Sequence, residues 1–260
     1  GYMIEWSNNQ NYIATCDSSR NFQVFKFLAN PNIINNGNLI LNSDLNLKNS
    51  ITFSDNCQID GNNNKIILNE NGNIFVDTNS TLTLKNITFE NINAGNLRCL
   101  DDSAKIIFNN VTLKLNDHAS FRYGSFEIEN KLKISGNYTY SYQTDQLSKI
   151  NSDAILKISD YAKLSYQPES NNENLIFLED ETSTIYLDET TLHSTTTGIQ
   201  LTKGTLKIKG NCFIESDALT ESEAIKFGDG INIENNLNID IEPESTLNLI
   251  NGYLLDKNIN

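Results

Sequence analysis

The chain has 260 residues, a formal net charge of −14 and a hydrophobic content of 38%, below the usual share for a globular domain. Its 19 Lys and Arg are scattered, with only Arg20, Arg98 and Arg122 as arginines, so it lacks the basic stripe that nucleic acid or an anionic membrane surface requires. No apolar run is long enough for a transmembrane helix and no signal peptide is visible; because the chain starts at Gly1, this leaves export open.

The first stretch reads YMIEWSNNQNYIATCDSSRNFQVFKF. Alternating apolar residues predict strands at Met3–Trp6, Tyr12–Cys16 and Phe22–Phe27, and the turn-rich segments SNNQ and DSSR predict the corners between them. Trp6, Ser7, Tyr12, Ile13, Ala14, Asp17 and residues 24–27 resemble one blade of a tryptophan-aspartate propeller. A single blade cannot close a propeller, so residues 1–30 are expected to be a propeller-blade-like piece or an N-terminal cap. Ala29–Gly37, with Pro31 and several Asn, reads as a linker.

From Asn38 onwards the pattern changes. A nine-residue motif, TLTLKNITF at Thr81–Phe89, returns as KIIFNNVTL at Lys105–Leu113, one step of 24 residues later. Looser copies begin at Ser125, Ala154, Ser183, Thr205, Gly230 and Thr246. Each joins two short alternating strands through a small polar corner. A recurring all-strand unit of this length signals a β-solenoid. Period-two alternation puts Leu82 and Leu84, then Ile87 and Phe89, on one face. Leu84, Phe108, Ile158, Leu187 and Ile208 hold equivalent places in successive copies and are expected to point inward in rows. The 42 asparagines read as corner residues, because Asn tolerates left-handed backbone, rather than as a disordered polar tract. Stacking places Asn86 beneath Asn110, where amide side chains can bond along the axis.

Leu39, Leu41, Leu45, Leu47, Ile51, Phe53 and the segment IDGNNNKI at Ile59–Ile66 resemble the first coils of right-handed parallel β-helices of the pectin-lyase type. That resemblance implies the fold, and it implies two chemistries to look for. Polygalacturonases carry paired acids with GHG and RIK elements; this chain has Asp101–Asp102 in CLDDSAK but neither element, and His118 and His193 lack glycine partners. Adjacent strand residues point to opposite faces, so Asp101–Asp102 reads as a solvated turn. Pectate lyases hold calcium with converging acids; Asp180, Glu181, Asp188 and Glu189 line neighbouring corners but show no convergence in sequence. FENI at Phe89–Ile92 is similar to the repeat of bacterial polymorphic outer-membrane proteins, without its GGAI companion.

The middle copies stretch, which predicts inserted loops at Tyr142–Ser148 and Gln167–Asn174. Aromatic residues gather here: Phe121, Tyr123, Tyr138, Tyr140, Tyr142, Tyr161 and Tyr166. In NYTYSYQ the alternation puts Tyr138, Tyr140 and Tyr142 on one strand face, expected to be an exposed strip that binds a partner; facing inward they would fill core instead. Cys16, Cys57, Cys99 and Cys212 fit no zinc or disulfide spacing and read as small buried side chains. Asn79, Asn86, Asn110 and Asn137 stand in N-x-S/T sequons, three of them at repeat corners, and read as structural rather than as glycosylation sites.

The expected fold is all-β: a right-handed parallel β-helix (solenoid) over residues 31–260, preceded by a short N-terminal β-strand segment at 1–30. No metal or cofactor is expected. The expected function is non-enzymatic, a surface or secreted solenoid in the extracellular space or cell envelope. It would present an elongated face and loops to a protein or glycan surface, without nucleic-acid binding or membrane insertion. The C-terminal tail YLLDKNIN shows no capping helix, which admits truncation or self-association at that end. The alternative is a polysaccharide lyase or glycoside hydrolase on the same scaffold.

Overall fold

The computed structural model describes residues 5–6, 12–16, 22–26, 33–195, 198–217, 223–251 and 253–258, with side chains from residue 33 onwards except at Glu223. Near the N-terminus, Glu5–Trp6, Tyr12–Cys16 and Phe22–Lys26 form a three-stranded antiparallel sheet, matching the expected strands as far as they are described. Met3 and Phe27 lie outside the described residues.

From Ile33 the chain winds as a right-handed parallel β-helix of about eight turns. Every strand pair in this part is parallel, and the described residues contain no helix. Each coil presents strands in a fixed order on three faces. The first face carries Asn56–Asp60, residues 81–85 and 105–108, then Ser125–Ile128, Ser148–Ile150 and Ile176–Leu178. The second carries Lys65–Leu68, residues 87–92 and 111–115, then Lys131–Ser135, Ile155–Ser159, Thr184–Asp188 and Thr205–Lys209. Thr81–Ile92 and Lys105–Leu115 are single long strands bent from the first face onto the second. The third face is two sheets: a four-stranded one ending at Leu97–Cys99, and a six-stranded one from Ala119–Phe121 through Thr139–Tyr142, Lys163–Tyr166, Thr191–Ser194 and Asn211–Ser216 to Thr246–Ile250. The expected linker Ala29–Gly37 already contains the first third-face strand, Ile33–Asn35, paired with Ile51–Ser54.

The bend between first and second faces is made by asparagine. Asn86 and Asn110 sit at φ of 47° and 57°, a region Asn enters at low cost. Asn110 Nδ2 donates to Asn86 Oδ1 at 3.3 Å, and Asn86 Nδ2 to Asp60 Oδ1 at 3.4 Å, so the expected amide ladder forms. Gly61, next in the IDGNNNKI corner, is there for space: a Cβ would lie 2.5 Å from Asn86 O and 2.6 Å from Ile87 Cβ.

Leu84, Phe108, Ile158, Leu187 and Ile208 are all buried, as expected. They form two rows, not one. Leu84 stacks between Ile59 and Phe108 on the first face, whereas Ile158, Leu187 and Ile208 stack on the second. The motif copies therefore do not share faces. Those at Thr81, Lys105 and Ser125 cover faces one and two; those at Ala154, Ser183 and Thr205 cover faces two and three. Alternating strands around a polar bend look alike at either corner, so the copies read as one repeat. The copy at Gly230 is half lost: Ile231 is 93% exposed and only Asn238–Ile241 forms a strand.

The aromatic strip is corrected by burial. Tyr140 and Tyr142 point into the core, and only Tyr138, 37% exposed, reaches the surface. Leu164 and Tyr166 on the next coil pair with Tyr140 and Tyr142, which fixes their side of the strand as the inner one. Tyr138 precedes the strand, at a bend where its N–H donates to Gly136 O at 2.8 Å, and its ring packs edge-on against His118. Inside, Tyr142 lies parallel to Tyr166 at 5.5 Å and to Phe121 at 6.5 Å. The phenol groups also fasten the two inserted loops. Tyr142 Oη lies 2.6 Å from Gln146 O and 3.0 Å from Leu175 O, and Tyr166 Oη donates to Asn172 O at 2.5 Å.

Cys57, Cys99 and Cys212 are buried free thiols, and burial pushes Cys99 up to about 12, so it behaves as an apolar filler. The side chain of Cys16 is outside the described residues. Asp101 accepts from the hydroxyl and amide of Ser103 at 2.6 and 2.9 Å, which lowers its pKa and identifies the pair as a turn.

Candidate functional site

The outer surface of the third face, over residues 161–217, concentrates polar and aromatic groups. Parallel register stacks them in columns: Thr139, Lys163, Thr191 and Phe213 in one; Ser141, Ser165, His193 and Glu215 in the next. Lys163 Nζ reaches Glu215 Oε2 two coils away at 2.7 Å, so this ion pair straps the strand between them, Thr191–Ser194.

A hydrogen-bond chain runs along the axis beside that strap. Arg122 Nε donates to Gln143 Oε1 at 3.4 Å, and Gln143 Nε2 to Gln167 Oε1 at 3.4 Å. Gln167 Nε2 donates to Ser165 Oγ at 2.6 Å; Ser165 Oγ and His193 Nδ1 are 2.6 Å apart; His193 Nε2 and Asp217 Oδ1 are 2.8 Å apart. An ionised Asp217 only accepts, which assigns the proton of a neutral imidazole to Nε2 and leaves Nδ1 to accept from Ser165. Every link then donates in one direction, from a guanidinium to a carboxylate.

Serine, histidine and aspartate in contact are the groups of an acyl-transfer relay. This set is closed to that use. Ser165 is 1% exposed, its Oγ is held between Gln167 and His193, and the nearby amide of Gln167 is spent on Tyr142 O at 2.8 Å rather than free for an oxyanion. The chain holds five coils together instead. Replacing His193 by alanine should cost about 1–3 kcal/mol, because the buried Ser165 hydroxyl loses its acceptor. Adding Ser165→Ala should cost less than the sum of the single losses in urea unfolding; additive losses would show the contact contributes nothing.

The open part of the face is a cleft of about 300 Å³ at the corner between second and third faces, lined by Tyr161, Glu189, Thr190, Thr191, Asn211 and Phe213. Ser135, Ser159, Asp188 and Lys209 stack in register, so Gly136, Asp160, Glu189 and Gly210 share one corner position, all at positive φ. On one coil the next residue is left-handed too: Tyr161, at φ 63°. A tyrosine there costs about 1–2 kcal/mol relative to ordinary backbone. Its ring, 68% exposed, gains no core packing in return.

The polar groups of the cleft divide into used and unused. Thr190 Oγ1 bonds Ala162 O. Asn211 Oδ1 accepts from Thr246 Oγ1 and Asn248 Nδ2, both at 2.7 Å, leaving its Nδ2 as a donor. The Glu189 carboxylate has no hydrogen bond or ion pair among the described residues, while its neighbour Asp188 holds Lys157 at 2.5 Å and Lys209 at 3.6 Å. Asp180 is engaged by Ser152 and Thr182. The four corner acids named as calcium candidates thus do not converge, and no cluster of three metal-ligating side chains occurs among the described residues.

No family model matches the chain, and neither a curated protein nor a solved structure matches it. The β-solenoid stands on its own geometry; the pectin-lyase and propeller-blade resemblances gain no support from these comparisons. Sequence reasoning placed Tyr161 only within a general aromatic cluster, and it missed Ser165, Asn211, Phe213 and Asp217. Aligning the copies by corner rather than by strand would have set Asp160–Tyr161, Glu189–Thr190 and Gly210–Asn211 side by side.

Proposed function

We propose that this chain is a binding module that holds a glycan against the third-face corner. The observation that carries the reading is Tyr161, an exposed aromatic ring kept in strained left-handed backbone at the mouth of a cleft. Strain without packing gain is a reason to look for function. Tyr161 and Phe213 offer aromatic faces to the apolar side of a sugar ring. Asn211 Nδ2, the Thr191 hydroxyl and the Glu189 carboxylate offer a donor, a two-way group and an acceptor for its hydroxyls. A rigid stack of coils gives such a site a fixed geometry, which suits display at a cell surface or in secretion.

The test is one variant with two readouts. Glycine adopts φ near 60° without penalty, so Tyr161→Gly should stabilise the fold, on the order of 1 kcal/mol. The same variant should lose binding on an array of neutral and charged oligosaccharides. A Tyr161→Gly protein that binds as the parent does would end this reading, whatever its stability.

A further inference from the structure

Resting on that glycan-binding reading, we infer that the cleft selects a sugar ring bearing a free ammonium group, an amino sugar rather than its neutral or N-acylated counterpart. The argument is the unspent charge of Glu189. Its neighbour Asp188 is neutralised by Lys157 and Lys209, and on the same coils Glu215 pairs with Lys163, Glu242 with Lys207 at 3.1 Å and Glu179 with Lys149 at 2.7 Å. Glu189 alone lines the cleft as an acid, and no lysine or arginine lines it. The two aromatic rings favour a cation as well, since their faces are electron-rich. A net charge of −14 adds a long-range field of the same sign, which draws cationic ligands and repels uronic acids.

Asn211 sharpens the geometry. Its Oδ1 accepts from Thr246 and Asn248, which leaves its Nδ2 as a donor. An ammonium group has no acceptor to offer it, but a ring hydroxyl has. The cleft thus offers an ammonium site at Glu189 and a hydroxyl site at Asn211 beside the two aromatic residues that line it. The N-acyl group of an acetylated sugar removes the charge and adds bulk where the carboxylate stands.

The experiment is calorimetric titration of the whole chain with oligomers of glucosamine, N-acetylglucosamine and glucose, at about pH 6 where the amine is cationic. Glucosamine oligomers should bind on the order of fivefold tighter than glucose oligomers at low salt, the size of one close charge pair in high dielectric. The preference should shrink in about 0.5 M salt and vanish at about pH 9.5 as the amine loses its proton. Glu189→Gln removes the charge and keeps an acceptor oxygen, so it should abolish the preference, with glucosamine and glucose oligomers then binding equally. Glu70→Gln, an exposed acid at a remote turn, should leave it in place. Equal affinities for the amino and neutral oligomers would overturn the amino-sugar inference while the binding reading stands. A preference reduced equally by Glu70→Gln would also overturn it, as a whole-surface charge effect. No binding of any oligomer would overturn both.

Discussion

Phe108→Ala should lower the unfolding free energy by about 3–5 kcal/mol in urea titration. Phe108 is buried in the row Ile59, Leu84, Phe108, Ile128, so the void opens between coils above and below rather than beside solvent. It also packs edge-on against Phe126 at 6.1 Å, and that ring in turn meets Phe121 at 5.5 Å. Tight parallel stacking gives the neighbours little room to collapse inward, which argues for the upper half of the range. A loss under about 1 kcal/mol would mean that the rows are not the core they are taken to be.

Tyr142→Ala should cost a similar amount, about 3–5 kcal/mol, whereas Tyr138→Ala, four residues away, should stay within about 0.5 kcal/mol. The contrast separates packing from surface. Tyr142 is stacked between Phe121 and Tyr166 and lies edge-on to Phe126 at 5.7 Å. Its hydroxyl sits among Gln146 O, Leu175 O and Ser148 Oγ, drawing together two loops. Tyr142→Phe isolates that second role: it keeps the stack, removes the hydroxyl and should cost about 1–3 kcal/mol, the penalty of leaving buried carbonyls short of a donor. Equal stability losses for the Tyr138 and Tyr142 variants would contradict the inward assignment.

The fold was legible because a solenoid strand has one buried side, so alternation names the inward residues: every one of Leu84, Phe108, Ile158, Leu187 and Ile208 is inside. Asparagine at the bends was legible for a backbone reason, the low cost of left-handed φ at Asn86 and Asn110. What alternation does not carry is absolute sense. It placed Tyr138, Tyr140 and Tyr142 on one side without saying which side, and the answer lies in Leu164 and Tyr166 on the next coil. Nor does it identify the corner, so KISDYAK at the second bend passed for the same unit as TLKNIT at the first. The candidate cleft was illegible for that reason. Its residues come from three coils, and only the corner register that unites Asp160, Glu189 and Gly210 brings Tyr161, Glu189 and Asn211 together.

The parallel ladders have a mechanical consequence. Their hydrogen bonds lie along the axis of the stack, so tension applied along that axis loads them end-on, as a zipper, rather than sharing the load in shear across a sheet. A pulled coil peels away while the rest keep their shape, and each release adds the contour of one coil, about 24 residues at about 3.5 Å each, or roughly 80 Å of slack. Links that reach past the nearest coil, such as Lys163 to Glu215, resist that peeling where it crosses them. The stretch beside the cleft is therefore tied more firmly than bare ladders would leave it, and a ligand held there would be carried on the stiffest part of a compliant rod.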